Sequence, residues 1–191
     1  MKKVLLTAAL TALTTTAFAA DLKPYIEGAV GWFDSKDTSS STINTKFDSD
    51  VNYAAEIGVK DVAGTGIRIG GSYTHVELDY RAHRTSDGTV AESSKATSKM
   101  YLLNAYYDFK TGTELTPFVG LGLGMSDTDD SKDNEFVYGL HGGAKYNISN
   151  NVYVGAKGSF FRVNGLTDAQ TDARFSDHNQ YSINATLGYE F

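Results

Sequence analysis

The sequence predicts an all-β fold, an eight-stranded antiparallel up-and-down transmembrane β-barrel. Apolar and polar residues alternate in eight separate stretches, and such alternation gives a strand one apolar face and one polar face. The connections between the stretches are alternately long and short, as they are in transmembrane barrels. Aromatic residues also recur near the ends of the stretches, where a bilayer has its interfaces.

The C-terminal stretch, residues 179–191, shows the alternation most clearly. Its apolar positions are Tyr181, Ile183, Ala185, Leu187, Tyr189 and Phe191. The stretch is longer than the about 5–6 residues of a typical strand and reaches the roughly 9–11 residues that cross a bilayer. This strand therefore serves as the pattern against which the other stretches are compared.

Eight strands follow one another along the chain, joined by four long polar loops and three tight turns. The strands are residues 23–33, 51–60, 67–80, 101–109, 119–125, 136–146, 152–161 and 179–191, the loops 34–50, 81–98, 127–135 and 163–178, and the turns lie near 63–66, 110–112 and 147–151. An even number of strands puts both chain termini on one side, which we expect to be the periplasmic side because the short turns of such barrels lie there.

The first strands show how the faces are assigned. The first places Ile26, Val30 and Trp32 on one face, and the second alternates without interruption. In the third strand the apolar positions change phase after Tyr73, and Val76 then begins a new apolar set. We expect a β-bulge there, near the outer rim, that keeps Val76 on the apolar face.

The fifth strand carries glycine at every second position, at Gly120, Gly122 and Gly124. This spacing does not match a phosphate-binding loop. We expect the glycines to face the lumen and to leave room for large side chains such as Phe118, Tyr106 and Phe161.

Residues 1–19 have the features of a signal peptide. Lys2 and Lys3 precede an apolar run, and Ala17-Phe18-Ala19 provides small residues where signal peptidase cleaves. A transmembrane helix needs about 20 apolar residues, more than this run contains. We therefore expect cleavage after Ala19 and one barrel domain over residues 20–191.

Composition excludes several classes of function. Without Lys2 and Lys3 the chain has 15 basic and 23 acidic residues, a formal net charge of −8, which argues against nucleic acid as a partner. The chain has no cysteine, so disulfides, thiolate catalysis and cysteine-ligated metals are excluded.

A secreted, lipocalin-like barrel would have the opposite orientation of faces, with apolar residues inside. The polar face here is rich in glycine and carries isolated charges, which suit a narrow interior. A sheet that faces lipid must close, because unpaired backbone groups are costly in hydrocarbon. These features favour the transmembrane barrel.

Four acidic and four basic residues are assigned to the lumen. The interior of an eight-stranded barrel is only about wide enough for its own side chains. The eight charged residues are Glu27, Glu56, Asp108 and Glu190 with Lys60, Arg68, Lys145 and Lys157. Because buried charges need partners, we expect a network of ion pairs that plugs the lumen, with Glu27, Glu56 and Lys157 near mid-height. A narrow ion pathway is the alternative.

No cofactor, metal site or catalytic residue is expected. Asp127, Asp129, Asp130 and Asp133 form an acidic loop, but the EF-hand pattern fails because Lys132 occupies the glycine position. Weak divalent binding remains an alternative. His178 and Ser182 lie roughly 13 Å apart along a strand, too far for proton transfer, and His141 is expected to form hydrogen bonds in the lumen.

Three segments resemble the opacity-type family of small outer-membrane β-barrels, residues 101–109, 116–124 and 187–191. The resemblance covers the strands and does not extend to the loops. It implies that Leu187, Tyr189 and Phe191 form the signal read by the barrel-assembly machinery. Some members bind host receptors through variable loops, and the loops of this chain do not match theirs.

The second loop is basic and lies at the outer interface. Lipopolysaccharide phosphates lie at this height, and guanidinium groups suit phosphate oxygens. We expect Arg81 and Arg84 to bind these phosphates with support from Lys95 and Lys99. Pairing with Asp79, Asp87 and Glu92 is the alternative.

The functional expectation is a monomeric surface protein of the outer membrane. It would act through its loops, as in adhesion to a host or surface ligand, or it would stabilise the membrane. A narrow channel is the second hypothesis. An enzyme that modifies lipid A is the third, although the serine and histidine signatures of such enzymes are not visible.

Overall fold

A computed structural model describes residues 22–35, 38–39, 43–48, 50–84, 90–128, 134–164 and 178–191. The expected signal peptide, residues 1–19, lies outside this part of the chain. No helix within the described residues is long and apolar enough to span a membrane.

The described residues form ten β-strands. They are β1 Lys23–Ser35, β2 Thr38–Ser39, β3 Ile43–Asp48, β4 Asp50–Val62, β5 Ile67–Arg84, β6 Val90–Asp108, β7 Leu115–Thr128, β8 Glu135–Asn147, β9 Val152–Val163 and β10 His178–Glu190. Eight of them form the barrel wall in the order β1-β4-β5-β6-β7-β8-β9-β10, and all neighbours are antiparallel.

The barrel closes where β1 pairs with β10, from Tyr25↔Glu190 to Ser35↔Gln180. The predicted eight-stranded antiparallel barrel is therefore confirmed. Its short turns and the C-terminal residue lie at one end, called the turn end here. The longer connections lie at the other end, called the loop end.

The two faces of the wall are also as predicted. Large apolar side chains point outward, as shown by Trp32, Ile183 and Leu121, whereas Glu27 and Glu56 are buried inside. A lipocalin-like barrel has the inverse arrangement. The outward apolar belt is the surface that hydrocarbon covers in a transmembrane barrel.

The predicted β-bulge near Val76 is wrong. The register of β5 with β6 runs without a shift from Ile67↔Tyr107 to Ala82↔Glu92. Val76 therefore points into the lumen, where its exposed fraction is 0%. The apolar residue needs no bulge, because it packs among other apolar side chains inside the barrel. The register shifts along β4 with β5 and β5 with β6 lie elsewhere, between Val59 and Val62 and between Ala82 and His83. On the side of β3 and β4, one extra residue separates the pair Asn52↔Val76 from the pair Asp48↔Asp79.

Two of the predicted loops contain strands. β5 continues to Arg84 and β6 begins at Val90, whereas β7 pairs with β6 only as far as Ser98↔Thr128. Beyond Val76, the partner of β5 on the side of β4 is β3. The sequence signal for these segments is weak because a strand surrounded by water has no continuous apolar face.

These segments extend the wall beyond the loop end. We call residues 43–48, 77–84 and 90–97 the protruding sheet. Its central segment, residues 77–84, is about 26 Å long at ~3.3 Å per residue. The side chains of residues 43–48 and 78–96 are not described, so the sheet is defined by its backbone register alone.

Candidate functional site in the lumen and at the loop end

The turn half of the lumen contains all eight of the charges assigned to it, and we call this group the ionic cluster. Lys157 Nζ lies 2.7 Å from Glu27 Oε1 and 3.8 Å from Glu56 Oε2. Closer to the turn end, Lys145 Nζ lies 2.7 Å from Asp108 Oδ2 and 3.6 Å from Glu190 Oε1. Lys60 pairs with Glu190 at the same level.

Arg68 links the two levels of the ionic cluster. Its exposed fraction is 1%. Nε lies 3.4 Å from Asp108 Oδ2, and Nη1 lies 3.7 Å from Glu56 Oε1 and 4.0 Å from Glu27 Oε2. The guanidinium carbon lies 4.1 Å from the centre of the Tyr106 ring. A cation between carboxylates and an aromatic face gains attraction from both, which offsets part of its cost of burial.

Three tyrosines complete the ionic cluster. The hydroxyls of Tyr25 and Tyr106 donate hydrogen bonds to Glu56, and that of Tyr153 donates to Glu27 over 2.8 Å. Hydrogen bonds from neutral donors stabilise a buried carboxylate without adding charge. The carboxylates therefore have both ionic and neutral partners.

The glycines of β7 have different neighbours from those expected. Gly120 lies against Tyr106, as predicted, but Gly122 faces Asn104 and His141, and Gly124 approaches the backbone of Tyr101. The space beside Phe118 and Phe161 is provided by other glycines, Gly143 and Gly139 respectively. Which glycine accommodates which ring depends on the register between strands.

His141 lies inside the lumen. Its Nδ1 is 2.9 Å from Ser159 Oγ, and its ring contacts those of Tyr106 and Phe161. This serine and histidine pair is not apparent in the sequence, because the two residues are on neighbouring strands, β8 and β9. The pair is enclosed by the barrel wall, so a lipid outside the barrel cannot reach it.

The loop half of the lumen is filled by side chains that we call the apolar cluster. Its members are Phe33, Val76, Met100, Leu102, Val137, Phe161 and Val163. The rings of Phe33 and Phe161 are stacked with their centres 6.4 Å apart. This cluster is not apparent in the sequence, because its members share strand faces with polar residues. The lumen is therefore obstructed by charges in one half and by apolar side chains in the other.

The basic residues of the second predicted loop are spread along the strands. Lys99 lies opposite His75 and Asp127 in the sheet. Arg81 and Arg84 lie six and nine residues beyond His75, about 20 and 30 Å along β5 at ~3.3 Å per residue. They therefore belong to the protruding sheet and not to the outer interface where the sequence places them. Their side chains and that of Lys95 are outside the described residues.

Backbone register shows which residues lie opposite these cations. Lys95 lies opposite Asp79. By contrast, Arg81 lies opposite Lys46 and Ser93, and Arg84 lies opposite Ile43. Opposite charges that face each other across neighbouring strands attract, and Lys95 is the one of these three cations whose directly opposite residue is acidic.

The last residues of the chain point outward at the turn end. Leu187, Tyr189 and Phe191 share the outer face of the C-terminal segment, and the exposed fraction of Phe191 is 66%. Its ring lies edge-on to that of Tyr189, with centres 4.9 Å apart. Its backbone N–H donates a 2.9 Å hydrogen bond to the carbonyl oxygen of Pro24.

Within the described residues, no group of three or more His, Cys, Asp or Glu side chains could hold a metal ion. Of the acidic loop, Asp127 is described and exposed. Asp129, Asp130 and Asp133 lie outside the described residues.

Comparisons with known proteins agree with this architecture. The family model for the outer membrane protein beta-barrel domain matches residues 5–191. Outer membrane protein PagN of Salmonella typhimurium is 24% identical to this chain over 97 residues, a match that covers 42% of this chain and 41% of that protein. The chain thus spans less than half the length of this relative.

Two solved structures share the fold at low sequence identity. Neisserial surface protein A has a TM-score of 0.67 and 14% identity, over 88% of this chain and 97% of that one. Outer membrane protein OprG from Pseudomonas aeruginosa has a TM-score of 0.62 and 13% identity, over 89% and 96% of the respective chains.

Proposed function

The chain belongs to the outer membrane protein β-barrel domain family, and we propose that it is a surface-interaction protein that acts outside the membrane through its protruding sheet. The outer membrane is its location. In this proposal both termini face the periplasm, the loop end faces the cell exterior, and one chain forms one barrel.

The protruding sheet is the observation on which the proposal depends. Beyond Ser98, no described strand pairs with β6 on the side where β7 lies. A strand edge of this kind presents backbone N–H and C=O groups that can pair with an extended segment of another protein. A host or surface protein with such a segment is the partner that fits this edge.

The experiment replaces residues 78–96 by a two-residue Asn-Gly turn, which suits a hairpin. Bacteria that display the intact protein should attach to host epithelial cells, and bacteria that display the shortened protein should not. A matched control replaces residues 165–177 by a short turn. Equal attachment of the intact and shortened proteins, or loss in the control alone, would contradict the proposal.

Lipopolysaccharide is the proposed lipid partner. In this proposal Arg81 and Arg84 are the main phosphate-binding residues, because neither lies directly opposite an acidic residue in the sheet. Lys95 and Lys99 contribute less to phosphate binding, since they lie opposite Asp79 and Asp127 respectively.

The test compares lipopolysaccharide binding by reconstituted protein with and without Arg81→Ala and Arg84→Ala. Binding should weaken, and the deficit should shrink as salt screens the charges. Lys23→Ala with Lys110→Ala at the turn end is the matched control and should leave binding unchanged. Equal binding by all three proteins at low salt would remove the proposal.

A narrow channel is the second candidate function. Charged residues in the lumen favour ion conduction, but the ionic and apolar clusters leave little open path for ions through the barrel. Planar-bilayer recordings of the purified protein should therefore show no stepwise currents. Stepwise currents that change on Arg68→Ala would establish the channel instead.

A lipid-modifying enzyme is the third candidate, and the His141 and Ser159 pair is the feature that favours it. The barrel wall encloses this pair, so a lipid outside the barrel cannot reach it, which argues against an enzymatic role. Mass spectrometry of lipid A from cells with and without the protein tests the idea directly, because a mass difference that disappears in Ser159→Ala would establish an enzyme.

A further inference from the structure

A cavity lies in the lumen between the ionic cluster and the apolar cluster. Its volume, taken as the space open to the centre of a water molecule, is about 20 Å³. The walls include Asn52, Asn104, Asn184, Ser72, His141 and Ser159. Because one water molecule needs roughly 10–15 Å³ of such space, the cavity has room for one or two.

Four polar atoms on the cavity walls have no hydrogen-bond partner among the described residues. They are Oδ1 of Asn52, Asn104 and Asn184, and Nε2 of His141. All four side chains are more than nine-tenths buried. Buried polar atoms almost always pair with protein or with ordered water, so these atoms indicate a bound polar partner.

The neighbouring hydrogen bonds define what this partner must be. Asn104 Nδ2 donates to Glu56 Oε2 over 3.0 Å and to Ser72 Oγ over 2.9 Å. Asn184 Nδ2 donates to Ser182 Oγ over 3.0 Å. Since these amide nitrogens are already engaged as donors, the amide oxygens remain as acceptors and need a molecule that donates hydrogen bonds.

A water molecule suits these acceptors better than a metal cation does. Lys157, on the cavity wall, already supplies a positive charge to Glu27 and Glu56. A second cation would be repelled by this ammonium group, whereas a neutral water molecule can donate two hydrogen bonds and accept others.

We propose that this cavity is a binding site for two structural water molecules, which between them donate hydrogen bonds to the amide oxygens of Asn52, Asn104 and Asn184. The ionic cluster lies on the turn side of the site, and the apolar cluster lies on its loop side. The site is independent of the proposed surface interaction.

Alanine methyl groups provide a direct test by nuclear magnetic resonance. Ala29 and Ala54 line the cavity, whereas Ala105 and Ala185 point outward toward lipid. In lipid nanodiscs with alanine-methyl-labelled protein, water-selected Overhauser spectra should show cross-peaks to Ala29 and Ala54 and none to Ala105 and Ala185. Folded protein without cross-peaks to Ala29 and Ala54 would overturn the proposal.

Removal of one acceptor side chain tests whether the bound water lies beside Asn52. Asn52→Leu keeps a similar volume and removes the acceptor, so the cross-peak to Ala54 should fall several-fold. Asn147→Leu, near the turn end, is the control and should leave it unchanged. A full-intensity cross-peak in folded Asn52→Leu would contradict the proposal. If that variant does not fold, Asn184→Leu gives the same comparison.

Discussion

Lys157 Nζ lies 2.7 Å from Glu27 Oε1 and so joins β9 to β1 across β10, the strand with which β1 closes the barrel. The two residues are 130 positions apart in the chain. The ion pair is buried on both sides. It therefore links the first and last parts of the barrel from inside.

Lys157→Ala should destabilise the barrel, because it leaves Glu27 buried with a weaker set of partners. Removing one member of a buried pair costs about 3–5 kcal/mol. Unfolding by urea in lipid vesicles measures the change. Lys110→Ala is the matched control, since its pair with Asp61 is exposed at the turn end and should contribute less than about 1 kcal/mol.

The double variant Glu27→Gln with Lys157→Met separates the charge from the packing. It removes both charges and keeps an amide oxygen for the Tyr153 hydroxyl, so most of the lost stability should return. If Lys157→Ala changes the free energy of unfolding no more than Lys110→Ala does, these charges are in contact with water.

Gly188→Ala should also destabilise the barrel. A methyl group at this position would overlap the Tyr153 ring, and the ring could move only by losing its hydrogen bond to Glu27. Overpacking of this kind costs about 1–3 kcal/mol. Gly28→Ala on the neighbouring strand β1 is the control, because nothing lies within 4 Å of its added methyl group. Equal stability of the two variants would show that Tyr153 does not occupy this position.

The inward orientation of Val76 can be tested with single cysteines, since the chain has no cysteine of its own. Val76→Cys should resist both water-soluble and lipid-soluble maleimides in the folded barrel, because the side chain is enclosed by the apolar cluster. Tyr73→Cys should react with the lipid-soluble reagent. Equal labelling of both cysteine variants by the lipid-soluble maleimide would show that residue 76 points outward, as the predicted bulge requires.

Deletion of Phe191 should impair assembly in cells more than folding in vitro. In the folded barrel this residue is exposed and adds only one backbone hydrogen bond, to Pro24. Heat-modifiable migration of membrane fractions and of refolded protein gives the two measurements. Phe191→Tyr keeps an aromatic ring and is the control. Normal surface levels after deletion would exclude Phe191 from the assembly signal.

The sequence alone was sufficient to predict the wall of the barrel. Lipid outside and side chains inside impose opposite chemistry on alternate residues, so the faces of Ile183 and Leu121, and of Glu27 and Glu56, could be predicted locally. The turn at residues 63–66 could be predicted in the same way, because it interrupts the alternation with glycine.

The tertiary structure determined which residues meet across the lumen. Alternation gives the face of a residue, but the partner of Glu27 depends on register and on barrel closure, which bring together positions 130 residues apart. Closure also places Val76 among the apolar residues of other strands. The extent of β5 and β6 beyond the membrane was likewise decided by pairing between strands, because in water those residues need no apolar face.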